Sequence, residues 1–156
     1  IITGPLHLTT SRARLAGYRE ALERAGIQVD PTLICEGNYL LGDGIKQTYA
    51  LLDHANPPTA IFTGNDAQAA GVYQALYQRN IRIPDAMSVI GFDDVVYTAQ
   101  MSPPLTTIHQ PLIEMGKMAT NMLLRLIAGL PLDSNHVELS VSLVNRQSCA
   151  PPPSPK

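Results

Sequence analysis

Short apolar runs alternate along the chain with stretches in which apolar residues recur every three or four positions, and the two periods predict strands and helices in turn. Residues 1–3 read as the end of a strand. A helix capped by Ser11 follows, with Leu15, Tyr18, Leu22 and Ala25 on one face, and Gly26 stops it. Residues 32–35 predict a second strand, and residues 43–54 a helix presenting Ile45, Tyr49 and Leu52 before Asn56-Pro57-Pro58 breaks it. Residues 59–63 predict a third strand, and Asn65 or Asp66 caps a helix whose face is Ala69, Val72, Tyr73, Leu76 and Tyr77. Residues 87–92 are a continuous apolar run, as a strand covered on both faces requires. Residues 105–108 are extended, Pro111 opens a long helix closed by Gly129 and Pro131, and residues 137–144 supply one or two short strands. This alternation predicts an α/β protein on a doubly wound, mostly parallel sheet. The tail 151–156, Pro-Pro-Pro-Ser-Pro-Lys, has no means of packing and is expected to be disordered.

A length of 156 residues suits one domain, and 45% hydrophobic residues suffice for a core. The chain is only 15% charged, against roughly 25% in ordinary globular proteins. Its 11 basic residues are scattered and the net charge is −2, so no electrostatic footprint for nucleic acid is present. No apolar run reaches the roughly 18 residues of a membrane span. Cys35 and Cys149 are too far apart for a metal motif, and Cys35, in an apolar run, is expected to be a buried thiol. The opening Ile-Ile-Thr-Gly-Pro carries neither a Met start nor a signal peptide and falls inside a strand, so the chain is expected to be part of a longer protein.

In an open parallel sheet, ligands bind beyond the carboxyl ends of the strands. Those ends carry Thr10 and Arg14 after the first strand, Asn38 and Tyr39 after the second, Asn65 after the third, and Asp93 and Asp94 after the fourth; Gln110 follows residues 105–108. The set suits a small polyhydroxylated ligand. Asp93 can accept from neighbouring hydroxyls, Arg14 can donate in a fork, Asn65 and Gln110 can do both, and Tyr39 can cover the apolar face of a ring. Each has a plainer reading: Asn65 as a helix cap, Asp93 and Asp94 as turn formers, Arg14 as a solvated helix arginine, Tyr39 as loop packing. No glycine-rich phosphate loop, nucleophile elbow or metal spacing of His7, His54, His109 and His136 appears, so no catalytic residue, cofactor or metal is expected. His54 and His136 read as surface residues and His109 as structural.

The Arg-x-x-Gly-Tyr run at residues 14–18, Pro-x-Ala-Ile-Phe-x-x-Asn-Asp at 58–66, Ile-Pro-Asp-x-x-Ser-Val-Ile-Gly-Phe-Asp-Asp at 83–94 and Pro-Pro-Leu-Thr-Thr-Ile-x-Gln-Pro at 103–111 stand in one order and spacing. From residue 1 to about 147 the chain resembles the effector-binding region of the LacI/GalR family of bacterial transcriptional repressors. The resemblance implies one lobe of a two-lobed, periplasmic-binding-protein-like fold. On that reading residues 1–107 form the C-terminal lobe and 108–134 a crossover and helix belonging to the other lobe. Residues 135–150 return to the first, and the DNA-reading headpiece and most of the N-terminal lobe are absent. Ile113, Met118, Met122 and Leu126 would then lack cover. The resemblance also implies that Arg14, Asn65, Asp93 and Gln110 contact ligand, with Tyr39 at the aromatic position of the cleft. The implied protein is a cytoplasmic homodimer that binds operator DNA through the missing headpiece and has no membrane partner. The family's purine-responsive member has an arginine where this chain has Leu8, so a sugar or sugar derivative is expected as effector. A periplasmic sugar-binding transport receptor is the alternative. An enzyme on the same sheet is the third reading and lacks any motif.

Overall fold

The computed structural model describes residues 1–152. In it the chain runs through β1 (Ile2–Thr3), α1 (Thr9–Arg24), β2 (Cys35–Glu36), α2 (Leu41–Leu52), β3 (Ala60–Phe62), α3 (Asp66–Gln78), β4 (Ser88–Asp93), β5 (Thr106–His109), α4 (Leu112–Ile127) and β6 (Ser142–Val144). β1 and β2 pair in parallel, and β3, β4 and β5 form a parallel set closed by antiparallel β6. A single parallel bridge between Ile2 and Thr63 joins the two sheets. The strand order across both is therefore β2-β1-β3-β4-β5-β6, the α/β architecture the alternating periods imply.

Ile2, Leu51, Ile61, Ala69, Val72, Leu76, Met87, Val89 and Leu105 make one buried cluster. α3 contributes its Ala69, Val72 and Leu76 at the predicted spacing, while Tyr77, assigned to the same face, stands 84% exposed. Gln68, Gly71 and Ala75 complete the buried face of α3 instead. The buried face of α2 is Gly44, Thr48 and Leu51, one position away from the predicted Ile45, Tyr49 and Leu52. The reason is a backbone-to-backbone approach of the two helices. A Cβ on Gly44 would come within 2.1 Å of the Gln68 carbonyl oxygen, and one on Gly71 within 2.1 Å of the Leu41 carbonyl oxygen. Pattern reading centred the face on large apolar side chains, whereas packing centred it on the residues that let the axes close.

Other expectations shift as well. Ser11 does not cap α1: the helix begins at Thr9 with Leu8 at the cap position and no side-chain cap bond, and Ser11 is buried in the first turn. Residues 31–33 form a 3-10 turn rather than a strand, because the Asp30 carboxylate accepts from both the backbone N–H and the hydroxyl of Thr32. The strand is thereby displaced to Cys35 and Glu36. Cys35 is half-buried against the core rather than enclosed, and burial pushes its thiol up. In the stretch 137–144 only β6 forms as a strand. β5 extends to His109, so the sheet keeps residues 108 and 109. Of the tail expected to be disordered, residues 153–156 lie outside the described residues.

α4 has no buried residue; Ile113 is 75% and Leu126 57% exposed, while Met118 and Met122 are half-buried beside residues 135–141. The helix hangs from the sheet by its two neighbouring strands, β5 before it and β6 after the return.

Gly71→Ala is expected to lower the unfolding free energy by about 2–3 kcal/mol in urea denaturation, because the new methyl meets backbone that no rotamer change can move. A change below about 0.5 kcal/mol would mean that α2 and α3 can separate at little cost.

Candidate functional site

The C-terminal ends of β1, β2 and β3 run into Gly4, Gly37 and Gly64, and the space their missing side chains leave is filled by Tyr39 and Gln68. A Cβ on Gly4 would lie 2.0 Å from the Tyr39 ring and one on Gly64 3.0 Å from it; a Cβ on Gly37 would meet the Gln68 amide nitrogen at 2.7 Å. Tyr39 thus lies across two strand ends, with its backbone at φ 63°. Asn65 Nδ2 donates to the Tyr39 carbonyl at 3.0 Å, and Asn65 Oδ1 accepts from the Gln68 N–H at 2.9 Å as the cap of α3. The cap reading of Asn65 therefore holds, with one amide N–H left over.

The Tyr39 hydroxyl reaches α1. It lies 2.7 Å from Ser11 Oγ and 3.5 Å from Thr10 Oγ1, and Arg14 Nη1 donates to it at 3.1 Å. Burial raises the tyrosine, but its hydrogen bonds with Ser11 and Thr10 and the Arg14 charge outweigh it and hold the hydroxyl below its usual range. The Arg14 guanidinium stacks over the Phe92 ring at 3.8 Å from its centroid, so one aromatic covers its face and another fixes one nitrogen. Among the described residues, Nε and Nη2 of Arg14 make no hydrogen bond.

β4 delivers the acids. Asp93 ends it and Asp94 follows, at φ 118° and 60°, backbone that side chains rarely adopt and that costs about 1–3 kcal/mol at each residue. The strain persists because both carboxylates are pinned in different directions. Asp93 Oδ1 accepts from Gln110 Nε2 at 2.6 Å. Desolvation pushes the Asp93 carboxyl up, and the Gln110 bond and the Arg14 charge offset this only in part. Its Oδ2 has no partner among the described residues. Asp94 accepts from Arg146 Nη2 at 2.7 Å and lies 3.0 Å from His109 Nδ1. Burial raises Asp94, but Arg146 and His109 overrule it and hold the carboxyl below the usual range. Asp94, His109 and Arg146 thus form a cluster bonded among themselves, whereas Asp93 is bonded to Gln110 alone. Asp66, buried at the start of α3, accepts from Thr107 Oγ1 at 2.6 Å and from the Val95 N–H at 2.9 Å, which ties down the turn after β4.

Of the residues named from sequence, Arg14, Tyr39, Asn65 and Thr10 form one contiguous group and Asp93 with Gln110 a second, linked through Phe92 and the Arg14 charge. Asn38 is exposed and serves through its backbone N–H, which donates to Asp43. A cavity of about 550 Å³ is lined by Asp93, Gln110, Val95, His109, Leu112 and Lys117 among others; Arg14, Tyr39 and Asn65 are not among its walls. They lie half-buried on an open surface beside it. The sequence reading missed Ser11 as the partner of Tyr39 and Phe92 as the platform of Arg14. The place of Phe92, directly before Asp93 at the end of β4, was the available signal.

Residues 1–149 match the family model of a periplasmic binding protein-like domain. The ribose operon repressor of Escherichia coli (strain K12) is 44% identical over 147 residues, covering 94% of this chain and 44% of that protein. The HTH-type transcriptional repressor PurR of Haemophilus influenzae (strain PittEE) is 40% identical over 127 residues, covering 81% of this chain and 38% of that protein. The crystal structure of the lac repressor dimer bound to operator and the anti-inducer ONPF superposes with a TM-score of 0.83 at 35% identity, over 95% of this chain and 51% of that one. The chain belongs to the LacI/GalR family. It corresponds to part of the effector-binding region and spans less than half the length of the curated relatives it matches. Among the described residues no helix is long and apolar enough to cross a membrane. The six candidate residues follow or end β1 to β5: Thr10 and Arg14 on α1, Tyr39 after β2, Asn65 after β3, Asp93 at the end of β4 and Gln110 after β5.

Asp94→Asn is expected to cost about 2–3 kcal/mol at pH 7, the value of hydrogen bonds to charged partners, while asparagine keeps the left-handed backbone accessible. A carboxyl held low in the fold stabilises it above the unfolded-state value and loses that contribution as the pH falls through the folded one. The gap between wild type and variant should therefore be full at pH 5 and close as the pH drops below about 4, in denaturation curves run across that range. A gap independent of pH would mean that the Asp94 charge is not what holds Arg146.

Proposed function

We propose that this chain is the effector-sensing part of a LacI/GalR-type transcriptional repressor and that it binds a sugar between Arg14 and Asp93. The observation that carries the reading is the division of labour at those two side chains. Each has one polar atom fixed by a protein partner and others left open. Arg14 is held by Tyr39 and Phe92 with Nε and Nη2 open, and Asp93 is held by Gln110 with Oδ2 open. A fork of donors beside a braced carboxylate acceptor matches neighbouring hydroxyls, one accepting and one donating. Gln110, Asn65, Thr10 and Tyr39 complete the set.

The ligand class follows from two supports. The ribose repressor relative points to a pentose, and Leu8 offers no donor to a base edge, which argues against a purine despite the PurR relative. The group has no nucleophile–base pair, so it binds without catalysing. Such a protein works where the operator is, in the cytoplasm, as a homodimer that reaches DNA through a headpiece. Closure of a second lobe on the open surface would couple ligand to operator; a coupling of about 1–3 kcal/mol changes operator affinity roughly 5- to 150-fold.

The test is calorimetric titration of the full-length protein with D-ribose, beside operator-binding assays. Asp93→Asn should weaken ribose binding roughly 10- to 150-fold, the value of a hydrogen bond to a charged group, and should leave operator affinity without sugar unchanged. Wild-type ribose response in that variant removes Asp93 from the site. Indifference of the wild type to ribose and to a panel of pentoses and hexoses removes the sugar.

A further inference from the structure

Tyr39 occupies a position at which an aromatic side chain invites a stacking role, yet its geometry is that of a brace. One region of its ring lies on Gly4 and Gly64, where even a Cβ would be too close. Its carbonyl is held by Asn65 and its hydroxyl by Ser11, which is fully buried in the first turn of α1. Backbone, ring and hydroxyl are thus each constrained by a different element. To this fixed point Arg14 donates one N–H at 3.1 Å, with its face on Phe92.

We infer that Tyr39 is a positioning residue for Arg14, anchored by Ser11, and that the selectivity of the cleft for a particular hydroxyl depends on the Tyr39 hydroxyl rather than on stacking by its ring. Stacking on Phe92 restrains the guanidinium to a plane but leaves it free to slide and turn within that plane. A single hydrogen bond from Nη1 to an immobile oxygen removes that freedom and fixes where Nε and Nη2 point. The Tyr39 hydroxyl accepts from Arg14 and keeps its own proton for Ser11 or Thr10, so the bond to Arg14 displaces no other partner. Lysine at position 14 could not do the same, because a rotating ammonium has no plane to orient.

The inference rests on the sugar-binding reading of the cleft, and its tests separate the two. Tyr39→Phe keeps the ring on Gly4 and Gly64 and removes only the hydroxyl, so it is expected to fold, as an unchanged circular dichroism spectrum and thermal transition within a few degrees would show. In the full-length protein it should weaken D-ribose binding roughly tenfold by calorimetry, one hydrogen bond's worth. With the 2-deoxy, 3-deoxy and 5-deoxy analogues of ribose, the loss should vanish for the one lacking the hydroxyl that Arg14 contacts and persist for the others. Ser11→Ala should reproduce the pattern at smaller amplitude. An equal loss on all four sugars would overturn the inference and make Tyr39 a general wall of the cleft. Crystal structures of the unliganded variants provide a readout free of ligand. A guanidinium that leaves its wild-type pose over Phe92 in Tyr39→Phe supports positioning, and one that keeps it overturns positioning whatever the ligand proves to be. Failure of the wild type to bind any of the sugars would overturn the sugar reading alone, with the unliganded structures still deciding the role of Tyr39.

Discussion

The fold turns on one buried amide. Gln68, wholly inside at the first turn of α3, donates through Nε2 to the Thr3 carbonyl at 2.9 Å and accepts at Oε1 from the Gly64 N–H at 3.1 Å. β1 and β3 are joined by little else: one bridge at Ile2 and Thr63, and a backbone bond from Gly64 to Ile2 at 2.7 Å. Both backbone groups also have a backbone partner, the Gly64 N–H in the Ile2 carbonyl and the Thr3 carbonyl in the Gly37 N–H at 3.1 Å, and the amide adds a second bond to each. One side chain with a donor and an acceptor thus bridges the ends of β1 and β3. It also explains the glycine at the end of β2, since Gly37 leaves the room that the amide occupies. The surface that carries the candidate site is therefore held in register by a residue that takes no direct part in it.

On that base the site is built from backbone conformations that side chains rarely adopt. Tyr39, Asp93 and Asp94 all have positive φ, and each is over-determined by bonds from elsewhere in the chain: Asn65 to the Tyr39 carbonyl, Gln110 to Asp93, Arg146 and His109 to Asp94. The neighbouring acids take opposite assignments because Asp94 meets Arg146 and His109 while Asp93 meets Gln110 alone. One is locked into the scaffold and the other keeps an open oxygen.

Much of this architecture is legible in the sequence, and the failures share a cause. Period and punctuation located the helices and strands because amphipathic burial sets both. They missed where a local or distant polar bond prevailed: Asp30 captured Thr32 and moved the start of a strand from residue 32 to 35, and Ser11 looked like a helix cap because its partner, Tyr39, is remote in sequence. Gln68 drew no attention, since a polar residue on a helix reads as solvated unless the strand ends above it are known. For the site, the residue types were readable from their places at strand ends, and so was the cap role of Asn65. What could not be read was which atoms remain open after internal pairing, because that depends on hydrogen bonds across 17 to 52 residues, such as Gln110 to Asp93 and Arg146 to Asp94.

The stacking of Arg14 on Phe92 has a consequence for hydration. A guanidinium is weakly hydrated on its faces and strongly at its edge, and here the aromatic ring has already displaced water from one face when the chain folds. The in-plane edge keeps Nε and Nη2 without a hydrogen bond among the described residues, and on the proposed reading that edge is where a hydroxylated guest would take the place of water donor for donor. Desolvation of the cation is thus divided between folding and encounter, with the half that returns no hydrogen bond completed beforehand.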